Sequence, residues 1–264
     1  MDLSGQTVLV TGASSGLGYE MAYQLAVREK ANVIIVARRA EKLAALQAEI
    51  AKASAVRVDV VAADLGIVED VNRVLDHCLA DQLFAGAILN AGITYFGKHT
   101  ELQWDYFEKM VQLNVMSVVR MTNRLLSHFE SVATPSRIMV VSSMASLYPV
   151  PYQSAYSGTK GFLTNFANAL SQEVENKQLV ISAYCPGGIK TEMTTADGKF
   201  DTLSRWLEPV EHVASQGIYA FKKGKLTYVP GLLNKLSTFF LKFVPRSFLL
   251  RQTGNIYRGA VKKF

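Results

Sequence analysis

Acidic residues stop at Glu211. From there to Phe264 the chain has no Asp or Glu, yet holds ten of its 28 Lys and Arg: Lys222, Lys223, Lys225, Lys235, Lys242, Arg246, Arg251, Arg258, Lys262 and Lys263. The formal net charge of +6 therefore describes neither part, because the main body is mildly acidic and the tail strongly basic. Cysteine is scarce: Cys78 and Cys185 are far apart and form no metal-ligand spacing. Cys78 sits in a helical pattern and Cys185 ends an apolar run, so both read as reduced, inert thiols, as in the cytoplasm. No metal and no nucleic-acid partner is expected. No Pro/Gly/Ser-rich linker and no fixed-period repeat divides the 264 residues. One domain over 1–230 with an extension over 231–264 is expected. The polar start, Met-Asp-Leu-Ser-Gly, runs almost directly into a strand and leaves no room for a signal peptide.

What is present is alternation. Thr7–Val10, Asn32–Ala37, Val56–Ala62, Ala87–Leu89, Arg137–Val141 and Val180–Tyr184 are short, continuous apolar runs, as in parallel strands buried on both faces. Helical patterns separate them at Gly16–Glu29, Glu41–Lys52, Glu69–Leu79, Trp104–Phe129 and Ala155–Glu175. Strict βα alternation predicts a doubly wound parallel sheet, the three-layer α/β/α Rossmann architecture, with ligands beyond the carboxyl ends of the strands.

Thr11-Gly12-Ala13-Ser14-Ser15-Gly16-Leu17-Gly18 joins the first strand to the first helix. Gly12 can take a positive φ, Gly16 lets backbone approach a pyrophosphate, and Gly18 lets the helix pack close to the sheet. Phosphates would sit on free N–H groups at the helix N-terminus. A tight turn without ligand is the plainer reading. After the second strand an NAD site usually places a carboxylate; here Ala37 is followed by Arg38 and Arg39. A guanidinium binds a 2′-phosphate that a carboxylate repels, and Ser14 or Ser15 can add a hydroxyl. NADP(H) is therefore expected over NAD(H), unless the two arginines are merely solvated residues opening a helix.

Tyr156 and Lys160 lie four apart at the start of a helical pattern, on one face. An ammonium beside a phenol favours the phenolate and lowers a pKa that is ordinarily about 10. Ser142-Ser143 ends the fifth strand, where a hydroxyl can hold a carbonyl oxygen. With TGASSGLG at 11–18, Asp64-Leu65, Asn90-Ala91-Gly92, Asn114, Ser143, Tyr156, Lys160, Pro186-Gly187 and Thr191 in that order, the sequence resembles the short-chain dehydrogenase/reductase family over roughly residues 5–230.

That resemblance implies an oxidoreductase moving hydride between a nicotinamide cofactor and a carbonyl/alcohol pair. Tyr156 would donate the proton, Ser143 would hydrogen-bond the substrate oxygen, and Lys160 would lower the Tyr156 pKa and bind the ribose. Asn114 would hold a relay water. Asp64 and the adjoining Leu65 would meet the adenine. Asn90, in the Asn90-Ala91-Gly92 motif, would help place the cofactor. Ile189 and Thr191, with the Pro186-Gly187 turn before them, would hold the carboxamide. Leu89 stands where the family commonly has a first Asn. A homodimer or homotetramer built on Trp104–Phe129 and Ala155–Glu175 is also implied, as is a mobile lid at 190–206. A cofactor-binding regulatory protein without turnover is the alternative.

Met193, Phe200, Leu203 and Trp206 in the lid, and Tyr148, Val150 and Tyr152, are candidates to line an apolar pocket for a lipophilic ketone or 3-oxoacyl substrate. Leu232–Val244 gives a helical wheel with Leu232, Leu233, Leu236, Phe239, Phe240 and Phe243 on one face, Asn234, Lys235, Thr238 and Lys242 on the other, and Pro245 at its end. It suits packing on the body or on a sister subunit, peripheral contact with an anionic membrane, or docking of an acidic acyl carrier. It is too short and too charged to span a bilayer.

Overall fold

The computed structural model describes residues 1–195 and 207–261. Seven strands form one parallel sheet: β1 (Thr7–Thr11), β2 (Asn32–Ala37), β3 (Val58–Ala62), β4 (Phe84–Leu89), β5 (Ser136–Val141), β6 (Leu179–Tyr184) and β7 (Thr227–Tyr228). Their spatial order is β3-β2-β1-β4-β5-β6-β7, every pair parallel. The expected doubly wound Rossmann sheet is what forms. Strand order reverses between β1 and β4, which places the crevice at Thr11–Gly12 and Asn90.

The continuous apolar runs follow from burial on both faces. Alternate residues of one strand enter different cores: Val8 and Val10 join one layer, Leu9 the other. Helices α1 (Gly16–Val27) and α2 (Ala40–Ala53) cover the first layer through Met21, Leu25, Leu43, Leu46 and Ile50. Helix α3 (Val68–Leu79) faces the second with Val71, Val74, Leu75 and Cys78, at i, i+3, i+4, i+7 spacing.

The long helix expected at Trp104–Phe129 is interrupted. It runs as α4 (Trp104–Val111), a π-helical turn at Gln112–Met116, and α5 (Ser117–Phe129). Nothing in a hydrophobic pattern marks one extra residue in a turn. Helix α6 (Ser154–Glu173) follows β5, and a short α7 (Glu192–Thr195) follows β6.

The C-terminal third holds elements that the sequence pattern did not single out. Helix α8 (Val210–Lys223) packs on the α1 side and ends at Gly224, which adopts φ +63° as a left-handed cap. The helix expected over Leu232–Val244 is α9 (Leu232–Phe240) plus a 3-10 turn at Leu241–Phe243. Pro245 closes it and opens α10 (Arg246–Val261), since a proline is tolerated where a helix begins. No helix among the described residues is long and apolar enough to cross a membrane.

Candidate functional site

A cleft of about 750 Å³ opens at the carboxyl edge of the sheet. Its floor is the β1–α1 turn, where Gly12 has φ +70° and Gly16 φ +59°. A Cβ on Gly12 would come within 2.9 Å of the Ala91 Cα, and one on Gly18 within 2.5 Å of both the Gly12 carbonyl and the Asn90 Nδ2. The turn is thus a cradle that any side chain would fill, and it opens α1, whose first residues Gly16 and Leu17 line the cleft; a helix N-terminus is where a pyrophosphate binds. Thr11 fixes it from below. Its hydroxyl accepts from the backbone N–H groups of Asn90 (2.9 Å) and Ala91 (3.0 Å), while Asn90 Nδ2 donates to the Thr11 carbonyl (3.0 Å). Asn90 and Ala91 therefore tie β4 to the turn.

Ala37, Arg38, Arg39, Asp64 and Leu65 line the far end of the cleft. The two arginines differ. Arg39 Nη2 donates to the hydroxyls of Ser14 (3.1 Å) and Ser15 (2.8 Å), and its guanidinium pairs with Glu192 through two 3.1 Å contacts. The pairing holds Glu192 below the ordinary carboxylate range and Arg39 above its own. Arg38 is more exposed and stands 3.9 Å from Asp64. Asp64 also accepts from the Gly66 N–H. Glu192 was not anticipated: a single Glu at the start of an irregular segment carries no sequence signal.

Ser143, Tyr156, Lys160 and Asn114 cluster next to Gly92, just beyond the residues that line the cleft. Ser142 and Ser143 separate cleanly. Ser142 is buried, donates to the Lys160 carbonyl (2.9 Å) and accepts from Thr164 (2.7 Å), so it belongs to the framework. Ser143 caps a 3-10 turn, accepts from the Ala145 N–H (3.1 Å) and is hydrogen-bonded to Tyr156. Asn114 lies fully buried in the π-turn. Its amide clamps Ile93 both ways, accepting from the N–H and donating to the carbonyl at 2.9 Å each, and it donates to Thr159. Gly92 lines the cleft and abuts both groups: a Cβ there would lie 3.1 Å from Asn114 Oδ1 and 3.7 Å from Lys160 Nζ.

The Tyr156–Lys160 pair is close but not bonded. Lys160 Nζ stands 5.8 Å from the phenol ring centroid and donates to the Val141 carbonyl at 2.8 Å. Burial lowers the Lys160 pKa to about 8. Burial raises that of Tyr156, and the Ser143 hydrogen bond opposes this. The expected acidification of the phenol by its neighbour is thus not in place: burial raises the phenol pKa, and the ammonium is directed at a carbonyl.

The remaining expected positions follow β6. The Pro186 carbonyl accepts from Met144 N–H, and Ile189 is buried and bridges to Glu208. A Cβ on Gly187 would touch Asn234 and Met144. Thr191 lines the cleft and packs over Gly16 at 3.2 Å from where a Cβ would stand. The Met193 side chain, and Phe200, Leu203 and Trp206, lie outside the described residues.

The model of the short chain dehydrogenase family matches residues 6–201. The chain belongs to the short-chain dehydrogenases. A curated relative, 17-beta-hydroxysteroid dehydrogenase type 3 of Mus musculus, is 33% identical over 193 residues, which is 72% of this chain and 62% of that protein. The chain thus spans about three-fifths of that relative's length. Among solved structures, a short-chain dehydrogenase from Sphingobium yanoikuyae in complex with NADPH superposes with TM-score 0.82 at 25% identity, covering 92% of this chain and 95% of that one. A 3-ketoacyl-(acyl-carrier-protein) reductase from Brucella melitensis complexed with NADH gives TM-score 0.76 at 27% identity, with 86% and 96% covered. The glycine cradle and the basic far end of the cleft in this short-chain dehydrogenase fit a nicotinamide dinucleotide.

Proposed function

We propose that the protein is an NADP(H)-dependent reductase of a lipophilic ketone or 3-oxoacyl compound, with Tyr156 as the proton donor. The carrying observation is the clustering of Ser143, Tyr156, Lys160 and Asn114 next to Gly92, at the edge of a cleft that also holds a serine-backed guanidinium and no carboxylate at Ala37. Bound NADP(H) supplies hydride at its nicotinamide C4 and, when oxidised, a positively charged ring.

The residues do the rest. As hydride reaches the carbonyl carbon, negative charge grows on its oxygen. The Ser143 and Tyr156 hydroxyls would meet that charge together, stabilising it with little reorganisation. Tyr156 then gives up its proton to the oxygen. Lys160 has three N–H donors and spends one on Val141. The others serve the ribose and a water held at the Asn114 turn, which refills Tyr156 from solvent. Gly12, Ser14, Ser15, Gly16, Leu17 and Gly18 hold the pyrophosphate side. Arg39, with Arg38 beside it, takes the 2′-phosphate. Asp64 and Leu65 bound the adenine, and Asn90, Ala91, Gly92, Pro186, Gly187, Ile189 and Thr191 enclose the nicotinamide half.

The name of the mouse relative, a hydroxysteroid dehydrogenase, supports a bulky apolar substrate. Substrate would enter beside the loop of Tyr148 and Tyr152. The unit through about residue 230 carries this chemistry. Exposed Trp104 and Met116 on the α4–α5 stretch and Phe162 stacked on Phe166 along α6 support a homodimer or homotetramer through those helices. The buried free thiols suit a reducing, cytoplasmic setting.

The test is NADPH consumption over a panel of ketones and 3-oxoacyl thioesters by wild type and Tyr156→Phe. Wild-type turnover is expected, with at least ~100-fold lower kcat in the variant, at the level of a lost general acid, and unchanged NADPH binding by fluorescence titration. Equal turnover in the variant overturns the assignment. A wild type that binds NADPH yet reduces nothing in the panel points to the catalytically silent reading.

A further inference from the structure

Helix α9 is oriented against the usual rule. A surface helix turns its apolar stripe to the protein and its polar face to water. Here the polar face is turned in. Asn234 Nδ2 donates to Glu208 (2.6 Å) and to the Pro230 carbonyl (3.0 Å), and the Thr238 carbonyl accepts from the Tyr148 hydroxyl (2.7 Å). The opposite stripe is in the open: Leu232 is 73% exposed, Leu233 81%, Phe240 61% and Phe243 75%, with Leu236 and Phe239 between them. Packing on the body therefore does not use the apolar face, although this was one reading of its pattern. A contiguous stripe of this kind marks a contact surface.

Charge says what the contact is. The segment after Glu211 carries no acidic residue, and Arg246, Arg251 and Arg258 are all exposed on α10. Two copies meeting through this face would oppose like charges. A bilayer with anionic headgroups offers both partners at once: acyl chains for the leucines and phenylalanines, and phosphates for the cations.

Position adds a third point. The tail is fastened to the loops around the candidate substrate entrance. Tyr148 meets Thr238, Pro151 packs on Gly254, Phe96 packs on the Tyr257 ring at 5.7 Å, and Arg258 donates to the Tyr152 hydroxyl. A membrane seated on α9 would thus lie beside that entrance.

We infer that α9 lies in the surface of an anionic bilayer, so that the enzyme takes its apolar substrate from the membrane. The membrane contact stands on the tail alone; the delivery of substrate rests on the reading of function above.

The experiment is flotation of the full-length protein with phosphatidylcholine vesicles, with and without phosphatidylglycerol, for wild type and Leu233→Glu/Phe240→Glu. Both positions are exposed, so the thermal melt and the turnover of a short water-soluble ketone are expected to be unchanged. Wild type is expected to float with anionic vesicles and to be released by salt, and the variant to bind at least ~10-fold more weakly, because two anchors are removed and two negative charges added. Turnover of a long-chain ketone embedded in the vesicles should fall in parallel. Wild type and variant floating alike, or wild type not floating while it self-associates through this face or binds an acidic acyl carrier, overturns the inference. Failure of both ketones in wild type would instead tell against the functional reading while leaving flotation to decide the membrane contact.

Discussion

Replacing Arg39 is expected to separate the two nicotinamide cofactors. Its guanidinium rests on Ser14 and Ser15, at the end of the cleft where an adenosine ribose would carry its 2′-group. Hydrogen bonds to charged groups contribute roughly 1.5–3 kcal/mol each. Two such bonds to a phosphate would give ~3–6 kcal/mol, but the side chain is 39% exposed and must first leave Glu192. Exposure and exchange of partners together take back ~1–3 kcal/mol. A net loss of about 2–3 kcal/mol is expected for Arg39→Ala, or ~30- to 150-fold in kcat/KM with NADPH. With NADH the change should stay within ~3-fold, because no phosphate is there to lose a partner. Glu192→Gln should act in the opposite direction. It frees the guanidinium and removes a carboxylate that repels the phosphate, strengthening NADPH binding ~3- to 10-fold and leaving NADH alone. Steady-state kinetics with both cofactors at fixed ionic strength is the assay. An equal loss for NADPH and NADH in Arg39→Ala would show that Arg39 shapes the turn and does not read the phosphate.

Three further outcomes follow from groups buried around the site. Lys160 is held near pH 8 instead of its ordinary 10.5, so folding pays for an enclosed cation at all pH values below about 8 and is relieved as pH rises from there toward the unfolded value. Lys160→Met should raise stability at pH 7 by ~1–3 kcal/mol after the lost bond to Val141 is subtracted, lose that advantage by pH 10, and abolish turnover; urea melts at both pH values check it. Thr11→Val keeps the volume but leaves the Asn90 and Ala91 N–H groups without an acceptor, at a cost of ~2–4 kcal/mol in the same melts. Gly18→Ala drives a methyl group into the Gly12 carbonyl, and loss of dinucleotide binding by calorimetry is expected, with NADPH and NADH affected alike.

The sheet was readable because a strand buried on both faces writes itself as an unbroken apolar run, as NVIIVA at 32–37 does. The β1–α1 turn was readable because its glycines have steric work to do at Gly12 and Gly18. What escaped notice has no periodic imprint. The interruption in Trp104–Phe129 adds a single surplus residue to one turn, and the Thr11 hydroxyl matters only because β4 lies beside β1. The Ser142-Ser143 pair reads as two equal hydroxyls until the chain folds and Thr164 claims one of them. Glu192 meets Arg39 across 153 residues, a distance no local pattern spans. In α9 the wheel correctly gave a stripe, but which side faces the body depends on the partners Glu208 and Tyr148, far off in sequence.

The π-turn at Gln112–Met116 makes the residue count of this stretch a design constraint in its own right. Excising one residue there would let the helix relax to uniform winding, and everything on one side of the cut would swivel by about 100° relative to the other. Either Asn114 would release Ile93 or α5 would withdraw Val118, Met121 and Leu125 from beneath the sheet. Anyone grafting this segment onto an idealised scaffold must carry the surplus residue along with it.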